Sequence, residues 1–342
     1  MKPASGRAPP IFEPALRPRT AEKRGRGRKF FATSNDSPLS VSHRPVKLRP
    51  LLSLLFAICP PVWLSAADQP ATPPQPKTEH AGSESLADRT LREIVEREHD
   101  LFARAEKAGD QFDPGVFHGE AQSIASSYDI LLQKNPDFTL ALVAYGVFLG
   151  KVDMPKQAVA MLLKANKLDP NIALVKNQLA KHIAEDGKPV EALPYLIAAT
   201  DLAPKEPLYH FHLGQLLLAG RDDFLTNGGF TLAGLDKAML EAFRRAAELA
   251  PNDFSYAYQY AKAFYEIDPP RWEDALAQWQ QLEMRPITTT PLRHLVRLQK
   301  ANVLIKLGRT DEARAVLDTV TDPKLAADKQ TLLDQLAPKA EK

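Results

Sequence analysis

The stretch PDFTLALVAYGVFLGKVDMPKQAVAMLLKANKLDP, residues 136–170, runs directly into PNIALVKNQLAKHIAEDGKPVEALPYLIAATDLAP, residues 170–204. Pro136, Pro170 and Pro204 stand 34 residues apart, and the residues between them keep the same offsets. Tyr145, Gly146 and Leu149 answer to Leu179, Ala180 and Ile183, and Ala158, Leu162 and Ala165 answer to Ala192, Leu196 and Ala199. Small and apolar residues three and four apart describe one face of a helix, so each period holds two helices. The closing proline cannot donate within a continuing helix and ends the second one.

The residue types follow from packing. Gly146, Ala158, Ala180 and Ala192 are small enough to let paired helices approach closely, while Leu149, Leu162, Ile183 and Leu196 fill the layer between pairs. Asp137 and Asn171 are expected to cap the helices that follow them. Gly187 supplies a tight turn, and Pro194, inside a helix, is expected to kink it.

Measured outward with the same spacing, the chain divides into 139–172, 173–206, 207–253, 254–289 and 290–322. The unit 207–253 carries Leu213, Gly214 and Leu217, then Met239, Phe243 and Ala246 before Pro251. That proline comes 47 residues after Pro204, so an insert lies at 220–236. Its two short apolar runs flank Asn227-Gly228-Gly229 and read as a small hairpin or an edge-packed loop. The next unit has Ala261, Phe264, Ala275 and Trp279, with Pro286 one position off the 34-residue spacing from Pro251; the last opens at Thr290-Pro291. Residues 86–138 read as a degenerate first pair with a long turn at 108–120. Residues 323–337 read as a final helix covering the last apolar face, as repeat arrays require. The repeat-bearing region is thus 85–338.

The N-terminal part is different. Residues 1–50 contain 12 Lys and Arg against 3 Asp and Glu, a net +9, whereas 68–342 contain 32 against 39, a net −7. Residues 1–45 are rich in Pro, Arg and Ser without apolar periodicity and read as a disordered basic head. Arg24, Arg26, Arg28 and Lys29 lack an accompanying aromatic platform, so no nucleic-acid partner is expected. Residues 46–67 join Lys47 and Arg49 to the uncharged run LLSLLFAICPPVWLSAA, with Ser65 and Ala67 at the spacing of a cleavage site, and read as a signal peptide. Translation is accordingly expected to start near Val46. Residues 68–84 form a Pro-rich linker. The expected location is periplasmic or secreted; retention of 51–67 as an inner-membrane anchor is the alternative, and contact with a membrane is expected only then.

The chain carries few residues arranged for chemistry. The single cysteine, Cys59, leaves the body without a thiol for a disulfide or a thiolate metal site. None of the eight histidines has recognised metal-ligand spacing, and His210 and His212 are two apart on a helix and diverge. Glu96, Glu98, His99 and Asp100 read as a solvated helix face. There is no GxSxG, P-loop or GxGxxG pattern. No enzyme, cofactor or metal site is expected.

The 34-residue helix–turn–helix period over roughly 86–327, most specific at 139–206, resembles the tetratricopeptide repeat, in its exported bacterial form. The resemblance implies an all-α, right-handed α-solenoid whose first helices (A helices) line a concave groove that takes a protein or peptide segment. Carried onto this chain, the groove positions hold Asn177, Gln178 and Lys181; Phe211, His212 and Gln215; Tyr258, Gln259, Lys262 and Tyr265; and Gln299, Asn302 and Lys306. Amide, aromatic and lysine side chains together suit a peptide backbone and its side chains. The subtype that clamps a C-terminal carboxylate is not matched, because Asn177 and Lys181 are followed by Leu208 and His212.

Overall fold

A computed structural model describes residues 85–336 except 228 and 287. The described residues are all-α, with fourteen α-helices and no strand among them. They separate into two compact units, one ending at Leu168 and the other beginning at Asp169.

The first unit holds α1 (Leu86–Ala108), α2 (Pro114–Lys134), α3 (Thr139–Lys151) and α4 (Pro155–Leu168). Ser85 caps α1 by accepting from Asp88 N, and Asp113 caps α2 by accepting from Gly115 N and Val116 N. The second half of the expected long turn is therefore helical, begun by Asp113-Pro114. Tyr145, Leu149, Ala158, Leu162 and Ala165 are all 1% exposed or less. Gly146 is there by necessity: a Cβ would sit 2.7 Å from Leu162 Cγ and 3.3 Å from the Ala158 carbonyl.

Glu98 does not lie on a solvated face. It is 6% exposed, accepts from the Tyr128 hydroxyl at 3.1 Å, and pairs with Lys151 Nζ at 2.9 Å. Sequence pattern places Glu98 among polar neighbours on α1; the incoming α2 and α3 supply the hydroxyl and the ammonium that permit its burial.

The second unit holds α5 (Ala173–Glu185), α6 (Pro189–Leu202), α7 (Pro207–Ala219), α8 (Arg221–Thr226), α9 (Leu232–Leu249), α10 (Phe254–Ala263), α11 (Trp272–Met284), α12 (Thr290–Lys306), α13 (Thr310–Asp318) and α14 (Ala326–Gln335). Helix α6 continues through Pro194 to Leu202. Asp137 and Asn171 are not caps. Helices α3 and α5 begin one residue later, with Phe138 and Ile172 at the cap position and no side-chain capping bond. Asp169 Oδ1 instead accepts from Asn171 N at 2.9 Å, and Asp137 lies 3.6 Å from Lys164 Nζ.

The insert is not a hairpin. Its first run is helix α8, and Phe224, 2% exposed, meets Phe230 edge-on at 5.6 Å. Gly220 lets this turn close, since a Cβ there would meet Pro189 Cβ at 2.7 Å. Arg221 pairs with Asp236 of α9 at 2.5 Å, and Asp236 also accepts from Asp268 N at 3.1 Å. A buried aromatic plus a largely buried ion pair fixes the run as a short helix packed on α6 and α9. The short apolar runs read as a hairpin because a six-residue helix is too short to reveal a helical period.

Candidate functional site

The candidate groove residues lie on α5, α7, α10 and α12 and on the turn after α10, all in the second unit. Each first helix buries the small residue that meets its paired helix: Ala180, Ala261 and Ala301 are 0% exposed. The adjoining positions are thereby fixed in direction.

Asn177 and His212 come together across α5 and α7, with 2.8 Å between His212 Nδ1 and Asn177 Oδ1. Burial first, and the Lys181 ammonium second, push the imidazole pKa down to about 3. The ring is neutral near pH 7, so Nδ1 carries the hydrogen donated to the Asn177 carbonyl oxygen.

The remaining candidates divide by depth. Asn177 (1%), Gln215 (8%) and Tyr258 (6%) are buried. Gln215 Oε1 and the Tyr258 hydroxyl have no hydrogen-bond partner among the described residues. Tyr258 meets Trp279 edge-on at 4.9 Å, and Trp279 Nε1–H donates to the Tyr265 hydroxyl, so the two tyrosines share one indole. Burial pushes the pKa of both tyrosine hydroxyls up. Phe211 is buried too and packs 5.0 Å from Tyr256, joining α7 to α10. By contrast Gln178, Lys181, His212, Gln259, Lys262, Tyr265, Gln299 and Asn302 are half-buried, and Lys306 is exposed. Gln299 and Asn302 form no hydrogen bond to the other candidates among the described residues. The partly exposed part of the candidate row is thus its amide, imidazole and lysine side chains, with Asn177, Gln215 and Tyr258 buried.

A cleft of about 550 Å³ opens elsewhere on the same unit, between α9, α10 and α11. Several of its lining charges are ion-paired: Arg244 with Glu241 and with Glu248 outside the lining, Arg271 with Asp274, and Asp236 with Arg221. Among the described residues no group of three or more His, Cys, Asp or Glu is placed to hold a metal, and no helix is long and apolar enough to cross a membrane. The segment 46–67 lies outside the described residues.

No protein-family model matches the sequence, and no curated protein matches it. Solved structures do. PilF of Pseudomonas aeruginosa is 16% identical, aligns over 73% of this chain and 99% of its own, and gives a TM-score of 0.50. PilW, a widely conserved type IV pilus biogenesis factor, is 13% identical, aligns over 73% of this chain and 100% of its own, and gives a TM-score of 0.50. Identities this low speak to fold alone. The paired helices, the small residues at their crossings and these two likenesses agree: the chain has the tetratricopeptide-repeat fold.

Proposed function

We propose that this protein is a non-enzymatic interaction scaffold of the bacterial cell envelope, binding a protein or peptide segment along the A-helix face of its second unit. The observation that carries the reading is the half-buried row Gln178, Lys181, His212, Gln259 and Lys262, held on rigid helices by a buried layer beneath it. Amides in such a row can bond an incoming backbone, and lysine can take a carboxylate or carbonyl. The envelope location rests on the charge and cleavage pattern of 46–67, and the likeness to a pilus biogenesis factor is compatible with it.

The test is a capture from envelope extract comparing the full chain with a Gln259→Ala/Lys262→Ala/Asn302→Ala variant, with circular dichroism as the folding control. The scaffold reading requires a partner lost from the variant and retained by the parent. Equal recovery of every protein would remove the A-helix face from the account. N-terminal sequencing of the mature chain addresses location: a start near Asp68 agrees with export and cleavage.

A further inference from the structure

A fully exposed lysine needs no protein partner, because water solvates its ammonium. A lysine drawn half into the surface lays its methylene stem along the protein and holds its ammonium close to it, where an acid, a ring or a carbonyl can receive it. The second unit has five described lysines of this kind: Lys176, Lys181, Lys262, Lys300 and Lys329. Three of them are held. Lys176 Nζ stands 5.9 Å from the centre of the Tyr195 ring, Lys300 pairs with Glu283 at 3.1 Å, and Lys329 donates to the Val320 carbonyl at 3.0 Å.

Lys181 and Lys262 have no ion pair, ring or hydrogen bond among the described residues. They are not two arbitrary positions. Each directly follows the small, fully buried residue at which its helix meets its pair, Ala180 on α5 and Ala261 on α10, so both hold the same place in their units. An internal partner on the same helix was available to Lys181. Glu185 stands four residues after Lys181 within α5, a spacing that allows an ion pair on a helix, whereas Glu266 stands four residues after Lys262 but beyond the end of α10. Yet Glu185 lies 3.5 Å from His182 Nδ1, and neither lysine is paired.

The neighbouring surface adds two features. Gln178, His212 and Gln259 bring no negative charge, and His212 is neutral. Leu174, one turn before Gln178, is 39% exposed, and Leu208 is half-buried at the corresponding place on α7. Unneutralised ammonium groups on a row that also shows leucine are complementary to a segment of the opposite charge with apolar side chains of its own. We infer that the A-helix face bearing Lys181 and Lys262 selects a polypeptide segment in which acidic side chains alternate with apolar ones, the two lysines receiving its carboxylates. The inference rests on the scaffold reading above and names the partner's chemistry.

A combinatorial peptide library displayed against the full chain tests it, with selection repeated on a Lys181→Glu/Lys262→Glu variant and on a milder Lys181→Gln/Lys262→Gln variant of unchanged helicity. The expected result is enrichment of acidic, leucine-type peptides by the parent and of basic peptides by the charge-reversed chain. Each lysine removed should weaken a selected peptide roughly two- to fivefold, with a flatter dependence on salt. Peptides that compete for this face without acidic bias, or a selection unchanged by charge reversal, would overturn the inference and leave the scaffold reading standing. Failure to enrich any peptide on this face would overturn both.

Discussion

His212 of α7 and Asn177 of α5 share a hydrogen bond of 2.8 Å, so a neutral imidazole is locked to a buried amide at the crossing of two first helices. The imidazole pKa of about 3 lies far below the ordinary 6.5. Between those values the unfolded chain binds a proton that the folded chain refuses, so stability falls as pH drops through the window. At about pH 5 the loss reaches about 2 kcal/mol from this group alone. Urea unfolding at about pH 7.5 and about pH 5 measures it. His212→Gln should keep most of the stability at the higher pH and lose much of the slope; an unchanged slope would mean that other groups dominate.

Glu98 is 6% exposed and serves Tyr128 and Lys151 at once. Removing Lys151, whose side chain is 40% exposed, leaves a buried carboxylate with only the hydroxyl, whereas removing the hydroxyl leaves the ion pair. Lys151→Ala should therefore cost about 1–3 kcal/mol and Tyr128→Phe about 1 kcal/mol. Because the two act on one carboxylate, their double variant should depart from additivity. Chemical denaturation of the four chains gives the coupling directly, and strict additivity would contradict a shared acceptor.

Asp153 has φ +59, a left-handed conformation that side chains resist, at the place in its unit where the next unit has Gly187 at φ +82. Asp153→Gly should relieve that strain and raise stability by about 0.5–1 kcal/mol, while Gly187→Ala should lower it by about 1 kcal/mol. Thermal melts of both are the check; two shifts of the same sign would refute the equivalence of the two turns.

The insert behaves as part of the core. Phe224 is 2% exposed, and Arg221 offsets the buried charge of Asp236. Phe224→Ala should cost about 3–5 kcal/mol, and Arg221→Met about 3 kcal/mol because it leaves Asp236 without its cation. Deletion of 222–233 should lower helicity as well as stability. A deletion chain with the parent's circular dichroism and melting temperature would return the insert to the status of a surface appendage.

The repeat was legible because packing leaves little choice at helix crossings. At Gly146 and Gly214 a Cβ would meet Leu162 and Phe243 at 2.7 Å, so the sequence must write small residues there at a fixed period. What depends on neighbours from other helices was harder to see. Glu98 looks solvated until α2 and α3 arrive, and six helical residues at 221–226 are too few to show a helical period. Asn177, Gln215 and Tyr258 share the row's register, but only packing shows that they sit beneath it. That Lys181 and Lys262 lack an ion pair among the described residues is likewise invisible in sequence, since each has a glutamate four residues further on, Glu185 and Glu266.

Site-specific photo-crosslinking in the full chain tests the central claim most directly. A photoreactive residue placed at Gln178 or Gln259 on the first-helix face should form adducts with a partner segment, mapped by mass spectrometry, and the same residue at Lys237 on α9 should not. Adducts arising equally at Lys237, or only there, would contradict the assignment of the A-helix face as the binding surface.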